Sequence, residues 1–217
     1  MGVVETLSLA MGTAWTSGLN LYATIAALGL AGRYELIHLP PGLEILMHPL
    51  VIGAACLMYV LEFVVDKVPF VDSAWDVLHT FIRIPAGALL AAQTVGDVSP
   101  ALELAAYLAG GGIAATAHST KMLTRVAINT SPEPFSNWTA SVTEDATVFG
   151  GLWVIYHYPL LAIISVVIFV AIAIWLLPKL YRTGKAVLLT LWTTVRGLLR
   201  RRQSDIAAET QTVNPPV

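Results

Sequence analysis

The chain has 217 residues, 56% of them hydrophobic and 12% charged, with a mean hydropathy of +0.72. A soluble domain carries about 25% charged residues, so the composition argues against an ordinary water-soluble domain and for an integral membrane protein, one helical bundle without a second domain. The net charge of −2 hides an asymmetry: residues 1–177 hold five basic and twelve acidic residues (−7), and the remainder holds seven basic residues with Asp205 and Glu209 (+5).

The start, MGVVETLSLAMG, has no basic stretch and carries Glu5, which does not fit a cleaved signal peptide. A spanning helix needs about 20 mainly apolar residues, and the first candidate is Leu7–Leu30. It contains TAWTSGLNLYAT, which sets Thr13, Thr16, Ser17, Asn20 and Thr24 in mid-membrane around Gly18. Gly18 permits close helix packing, the stronger reading, or a local unwinding as in broken transporter helices. HLPPGLE reads as a loop, because two prolines and a glycine do not continue a helix.

The second segment is Pro49–Val65, whose lone Cys56 reads as packing. DKVPFVDS ends it, with Pro69 as breaker and Asp72 or Ser73 as N-cap of the next helix. The third segment, Asp72–Val95, is apolar only after Ile84, and Pro85 is placed to kink or split it. Spanning and re-entrant courses both stay open for it. GDVSP precedes the fourth segment, Pro100–Ile128, in which Gly110–Gly112 mark tight packing or a flexible point. NTSPEPFSN precedes the fifth, Asn137–Tyr156, with Ser136 or Asn137 as cap and Glu133 between two stiffening prolines. This loop reads either as a plain turn or as a hinge closing over a polar site. Its Asn129-Thr130-Ser131 and Asn137-Trp138-Thr139 match glycosylation sequons, a pattern that arises by chance. HYP makes a tight hairpin to the sixth segment, Leu160–Leu177, a continuous apolar run.

The expected fold is therefore all-α: a polytopic bundle of about six membrane segments over residues 1–178, one of them re-entrant or kinked. A basic amphipathic interfacial helix follows over 179–203, suited to anionic lipid headgroups, with a partner protein as the competing reading. Residues 204–217 are polar and expected to be disordered. Positive charge near helix ends places the C-terminus on the cytoplasmic side of a multi-pass protein of the cell inner membrane.

The ionisable residues are concentrated. Asp72, Asp76, His79 and Arg83 are spaced four, three and four apart, one stripe of a helix whose other side carries Ala74, Val77, Leu78, Phe81 and Ile82. Glu62 and Asp66 lie one turn apart at the end of the second segment. His118, Lys121 and Arg125 share a face of the fourth. Gly53-x8-Glu62-x3-Asp66 matches Gly112-x8-Lys121-x3-Arg125 in spacing with opposite charge, which suggests pairing. Glu144 and Asp145 are expected on the same side. An unpaired charge at mid-membrane costs about 2.5–3.5 kcal/mol on insertion scales, so these groups are compensated. They form either structural ion pairs near the headgroups or a polar cytoplasmic-facing cavity, the stronger reading.

Phosphate-binding glycine loop, HExxH, CxxC and nucleophile elbow are all missing. Carboxylate and imidazole are ligands for divalent cations, but Asp72-x3-Asp76-x2-His79 matches no dependable metal spacing. No cofactor and no nucleic-acid partner are expected; homo-oligomerisation is left open.

Three stretches, SGLNLYATIAALGLAGR, LEFVVDKVP with the VDS, WD and HTFIRIPAGALLA that follow, and INTSPEPFSNW, together resemble the bacterial membrane proteins grouped as domain of unknown function family 4126. The resemblance covers about Ser17 to Leu177. It implies a bacterial membrane origin and no reaction. The leading reading is a small transporter or channel with Glu62, Asp66, Asp72, Asp76, His79 and Arg83 lining the cavity and Lys121, Arg125, Glu144 and Asp145 closing it. Asp72 or Asp76 with His79 are the proton-coupling candidates. The acidic body favours a cationic substrate, while the bases permit an anionic headgroup. A membrane enzyme acting on a lipid or phosphorylated lipid, and an assembly protein locked by its charges, are the alternatives.

Overall fold

The small polar residues of the first segment do not end its helix; they break it in the middle. In the computed structural model, which describes residues 1–68, 70–96, 99–129, 134–179 and 181–182, α1 runs Val3–Arg33 with a non-helical residue at Asn20 (φ −147°, ψ 99°). Both readings of Gly18 are thus present two residues apart. A Cβ at Gly18 would lie 2.5 Å from the Ala114 carbonyl oxygen, so the glycine is there for packing, while Asn20 supplies the break. Thr13 and Ser17 donate to the carbonyls of Leu9 and Ala14 (2.7 and 2.8 Å), which satisfies their hydroxyls without water. α1 is the central helix, packed against the helices that follow.

HLPPGLE is not a plain loop. Pro41–Met47 forms a 3-10 helix, begun at the proline, and α2 (Pro49–Val65) leaves it at 67°. α3 spans Val71–Val95 and continues through Pro85. Its N-cap is Phe70 in left-handed backbone (φ 69°), and Asp72 turns inward instead of capping. α4 is Pro100–Ile128, with the Ser99 hydroxyl accepting from the Leu102 N–H at 3.2 Å. α5, Pro134–His157, begins earlier than expected, with proline in its first turn, where the missing N–H costs nothing. α6, Pro159–Lys179, follows after Tyr158. No strand occurs among the described residues.

Only α6 is long and apolar enough by itself to cross a membrane among the described residues; the 3-10 helix and α2 pass the same test if taken together as one bent span. The others carry charges or runs of Ser, Thr and Gly that pull down their hydropathy. The chain separates into two compact units, Met1–Leu177 and Pro178–Val217. Beyond Arg182 the interfacial helix and polar tail expected over 179–203 and 204–217 lie outside the described residues.

The first unit is inside out. On the first half of α3 the large outward residues are apolar, with Phe81 at 80% exposure, while Asp72, Asp76 and Arg83 on the other face are at 0%. α1, α3 and α4 meet through small residues: Ala14, Gly18, Gly87, Ala91, Gly110 and Ala114. Their close approach holds the charged faces of α3 and α4 at one depth.

Candidate functional site

Four helices deliver charge to one point. The end of α2 brings Glu62 and Asp66, the first half of α3 brings Asp72, Asp76 and Arg83, the end of α4 brings Lys121 and Arg125, and α5 brings Glu144. Arg83 sits between two acids, its Nη2 donating to Glu62 (2.5 Å) and its Nη1 to Asp76 (3.1 Å). Lys121 donates to Glu62 at 3.2 Å and Asp66 at 3.0 Å, and lies 3.3 Å from Glu144. Arg125 grips Glu144 with two bonds (Nε 3.2 Å, Nη2 2.8 Å). Its Nη1 donates to the carbonyls of Asp66 and Asn137 (3.0 and 3.1 Å). The complementary spacing from Gly53 and Gly112 therefore does correspond to contact between α2 and α4.

These eight residues form one connected network, and it is unbalanced. Glu62, Asp66, Asp72, Asp76 and Glu144 give five carboxylates; Arg83, Lys121 and Arg125 give three cations. One oxygen of each of Glu62, Asp66, Asp72 and Asp76 is buried without a hydrogen-bond partner among the described residues. The middle of the network is closed: it is a packed cluster of ion pairs, and a cavity reaches only its edge. That cavity lies between α4 and α5, has a volume of about 520 Å³, and is bordered by Lys121 and Glu144.

Not every candidate joins the network. His79 is held apart, stacked on Trp75 (centroids 4.4 Å), with Nδ1 2.8 Å from the Trp75 carbonyl and Nε2 3.0 Å from the Tyr22 hydroxyl. Its two nitrogens face those partners and not Asp72 or Asp76. The histidine inside the network is His118, whose Nδ1 lies 3.4 Å from Arg83 Nη1 and whose Nε2 lies 3.1 Å from the Asp76 carbonyl oxygen. Its step of three from Lys121 was the legible signal. Asp145 turns away from Glu144 and accepts from neutral donors, Asn20 (3.1 Å) and Tyr59 (3.2 Å). Lys67, beyond the end of α2, donates to the Phe63 carbonyl at 2.9 Å; partial burial pushes its ammonium below the usual lysine range.

The end of α4 and the first turns of α5 contribute through asparagines. Asn129 donates to Asp72 (2.8 Å) and Ser73 (2.9 Å), and Asn137 donates to Asn129 (2.9 Å). Asn137 lies within α5 and is fully buried, so it neither caps that helix nor offers itself for glycosylation, and Asn129 is buried too. Ser136 borders the cavity. Glu133 lies outside the described residues. Ser17 stays in the α1–α3–α4 seam, bonded to its own helix.

Asn20 ties the break in α1 to this region. Its Oδ1 accepts from the Ala23 N–H (3.0 Å), capping the second half-helix, and its Nδ2 donates to Asp145. Asn20→Leu keeps the volume and loses both bonds, leaving buried groups unpaired at about 1–3 kcal/mol. The expected result is a lower Tm in detergent. An unchanged Tm would mean that the backbone break is held by packing alone.

No curated protein and no solved structure matches the chain. The family described as Domain of unknown function (DUF4126) matches residues 7–179, and with most of its length covered, including every described residue of the ion-pair network, the chain belongs to that family.

Proposed function

We propose that the protein is a multi-pass membrane protein that moves a small solute across the bilayer, with the ion-pair network closing the path at its cytoplasmic end. One observation carries this reading: charge is inside and oil is outside. Arg83, Arg125, Glu62, Asp72 and Asp76 are fully buried, while Leu50 is 77% exposed and Phe81, Leu78, Leu108 and Trp175 also face outward. In water such an apolar surface would aggregate; in lipid it is the expected exterior, and ionisable groups belong in the bundle interior. Each crossing helix other than α6 then depends on its neighbours to shield its polar residues, so hydropathy of single helices understates the number of spans.

A broken first helix beside a buried charged site supports transport over a static bundle, because discontinuous helices in transporters lie at the solute. The closed middle of the network favours the assembly reading as the alternative. Proteoliposomes on a solid-supported membrane, challenged with a panel of small cations, anions and neutral solutes, separate the two. The expected result is a protein-dependent current or uptake for at least one solute that is lost in Glu144→Gln. If no solute moves and network variants change only the melting temperature, the transport reading fails and the ion pairs are structural locks.

A further inference from the structure

The cavity between α4 and α5 has a chemistry that the charged residues alone do not reveal. α4 carries Thr116, Thr120 and Thr124, and α5 carries Thr139, Thr143 and Thr147, each set at steps of four. Thr120, Thr124, Thr139 and Thr143 line the cavity with Ser136 and Glu144. Steps of four keep each row on one helix face.

The direction of the hydroxyl bonds matters. Thr120 donates to the Thr116 carbonyl (2.8 Å), Thr139 to Phe135 (2.9 Å) and Thr143 to Thr139 (2.7 Å). With its proton committed to a carbonyl, a hydroxyl presents lone pairs only, so Thr120, Thr139 and Thr143 offer acceptors to the cavity. At the inner end, Lys121 and Arg125 already have carboxylate partners, and Glu144 is the most accessible acid of the network, its side chain 14% exposed. The five-to-three excess of carboxylates lies behind it. An anion would meet hydroxyl acceptors with, among the described residues of the lining, only Lys121 to attract it; a cation would meet those acceptors and the carboxylate of Glu144, which it would share with Arg125 and Lys121.

Size and lining narrow the class. A volume of about 520 Å³ is far larger than an inorganic ion needs and falls in the range of small-molecule sites. Leu19, Ile128 and Ala140 add apolar wall, and Phe135 adds an aromatic ring. Among the described residues no group of three or more His, Cys, Asp or Glu is arranged to hold a metal. We propose that the α4–α5 cavity binds a small organic ammonium ion, whose N–H groups donate to Glu144 and to the hydroxyls of Thr120 and Thr143 while its carbon part lies against Leu19, Ile128 and Ala140. This assignment rests on the transport reading for its purpose and on the cavity for its chemistry.

The test is calorimetric titration of the purified full chain in detergent with propylammonium, 1-propanol and propionate, which share a carbon chain and differ in charge. Propylammonium is expected to bind saturably and at least about tenfold more tightly than 1-propanol, with no binding of propionate. Two hydrogen bonds from a charged donor carry about that much. The double substitution Thr120→Val and Thr143→Val, which keeps shape, is expected to weaken propylammonium at least about tenfold. Thr6→Val, at the far end of α1, is expected to change nothing. Should the double variant fail to fold, Ala140→Leu, which narrows the cavity from its wall, reads the same loss. Equal binding of propionate or 1-propanol, no saturable propylammonium binding, or binding that survives these variants overturns the assignment. Solute currents in proteoliposomes tell the two failures apart: if currents persist without ammonium binding here, transport stands and this cavity is not its site; if neither is found, both fall.

Discussion

Arg83→Gln is expected to destabilise the protein severely, and Asp76→Asn hardly at all, although the two residues are bonded to each other. The asymmetry follows from the five carboxylates and three cations of the buried network. Removing Arg83 leaves Glu62 and Asp76 with Lys121 as the one cation paired with them among the described residues. Breaking a buried pair from one side costs about 3–5 kcal/mol, because the remaining charge is uncompensated. For a chain of this size that lowers Tm by on the order of 10 °C. Asp76→Asn instead removes one surplus negative charge. Its amide oxygen still accepts from Arg83 Nη1, and its amide nitrogen takes the place of Oδ2, which has no hydrogen-bond partner now. A change within about 1 kcal/mol, of either sign, is expected. Arg83→Lys should fall between, since one ammonium cannot reach both acids in the forked geometry of a guanidinium. Thermal melts of the three variants in one detergent decide it. Equal losses for Arg83→Gln and Asp76→Asn would mean that the network is charge-balanced as it stands, and the acid excess could no longer be used to argue for a cationic ligand.

The network also bridges a loosely packed seam between consecutive helices, that of α4 and α5. α3 and α4 are closely packed along their length, and both pack on α1. α4 and α5 have few backbone approaches, and what ties them is polar: Glu144 to Arg125 and Lys121, and Asn137 to Asn129 and Arg125. Polar ties over a cavity can exchange partners without emptying a packed core, whereas separating interdigitated small residues cannot be done by degrees. Under the transport reading, the seam between α4 and α5 is the part that opens, while α5 stays packed on α1, where Ile155 covers Gly12 and Trp15 covers Gly151.

Much of this was readable from the residues, and the failures have physical causes. The starts of α2 and α4 follow from Pro49 and from Ser99-Pro100, local signals that need no tertiary context. The pairing of Glu62 and Asp66 with Lys121 was written in matched spacings from two glycines. His79 looked like part of the stripe because helical periodicity fixes a face and not a partner; Trp75 and Tyr22 claim it. Asp72 looked like a cap because acids usually are, yet Asn129 draws it inward and Phe70 takes the cap position. The break at Asn20 was sensed at Gly18, the conformationally permissive residue, whereas the residue that bends is the one whose side chain can replace the lost backbone bond. The threonine rows escaped notice because each threonine is unremarked alone; only the two rows facing one cavity give them meaning.

Gly18, Gly87 and Gly110 are expected to tolerate not even a methyl group, and Gly112, a near neighbour of the last, to welcome one. A Cβ on Gly18 would sit 2.5 Å from the Ala114 carbonyl oxygen and 2.7 Å from Ala117 Cβ. On Gly87 it would sit 2.5 Å from Ala114 Cβ and 2.7 Å from Ser17 Oγ, and on Gly110 it would overlap Ala91 Cβ. Apart from Ser17 Oγ, the obstacles are backbone and Cβ atoms, which cannot rotate aside, so helices must separate. Overpacking of this kind costs about 1–3 kcal/mol, more than the gain of about 0.5–1 kcal/mol from replacing glycine by alanine within a helix. At Gly53 in α2 and Gly112 in α4 nothing lies within 4 Å of the added methyl, so only that gain remains and Tm should rise slightly. The five Gly→Ala variants, melted side by side, give three losses and two gains. If Gly18→Ala and Gly112→Ala melt alike, α1 does not approach α4 this closely, and the rigid α1–α3–α4 trio does not exist. If they split as expected while Gly87→Ala keeps solute transport at temperatures below its melt, the trio is a fixed frame and no part of the moving path.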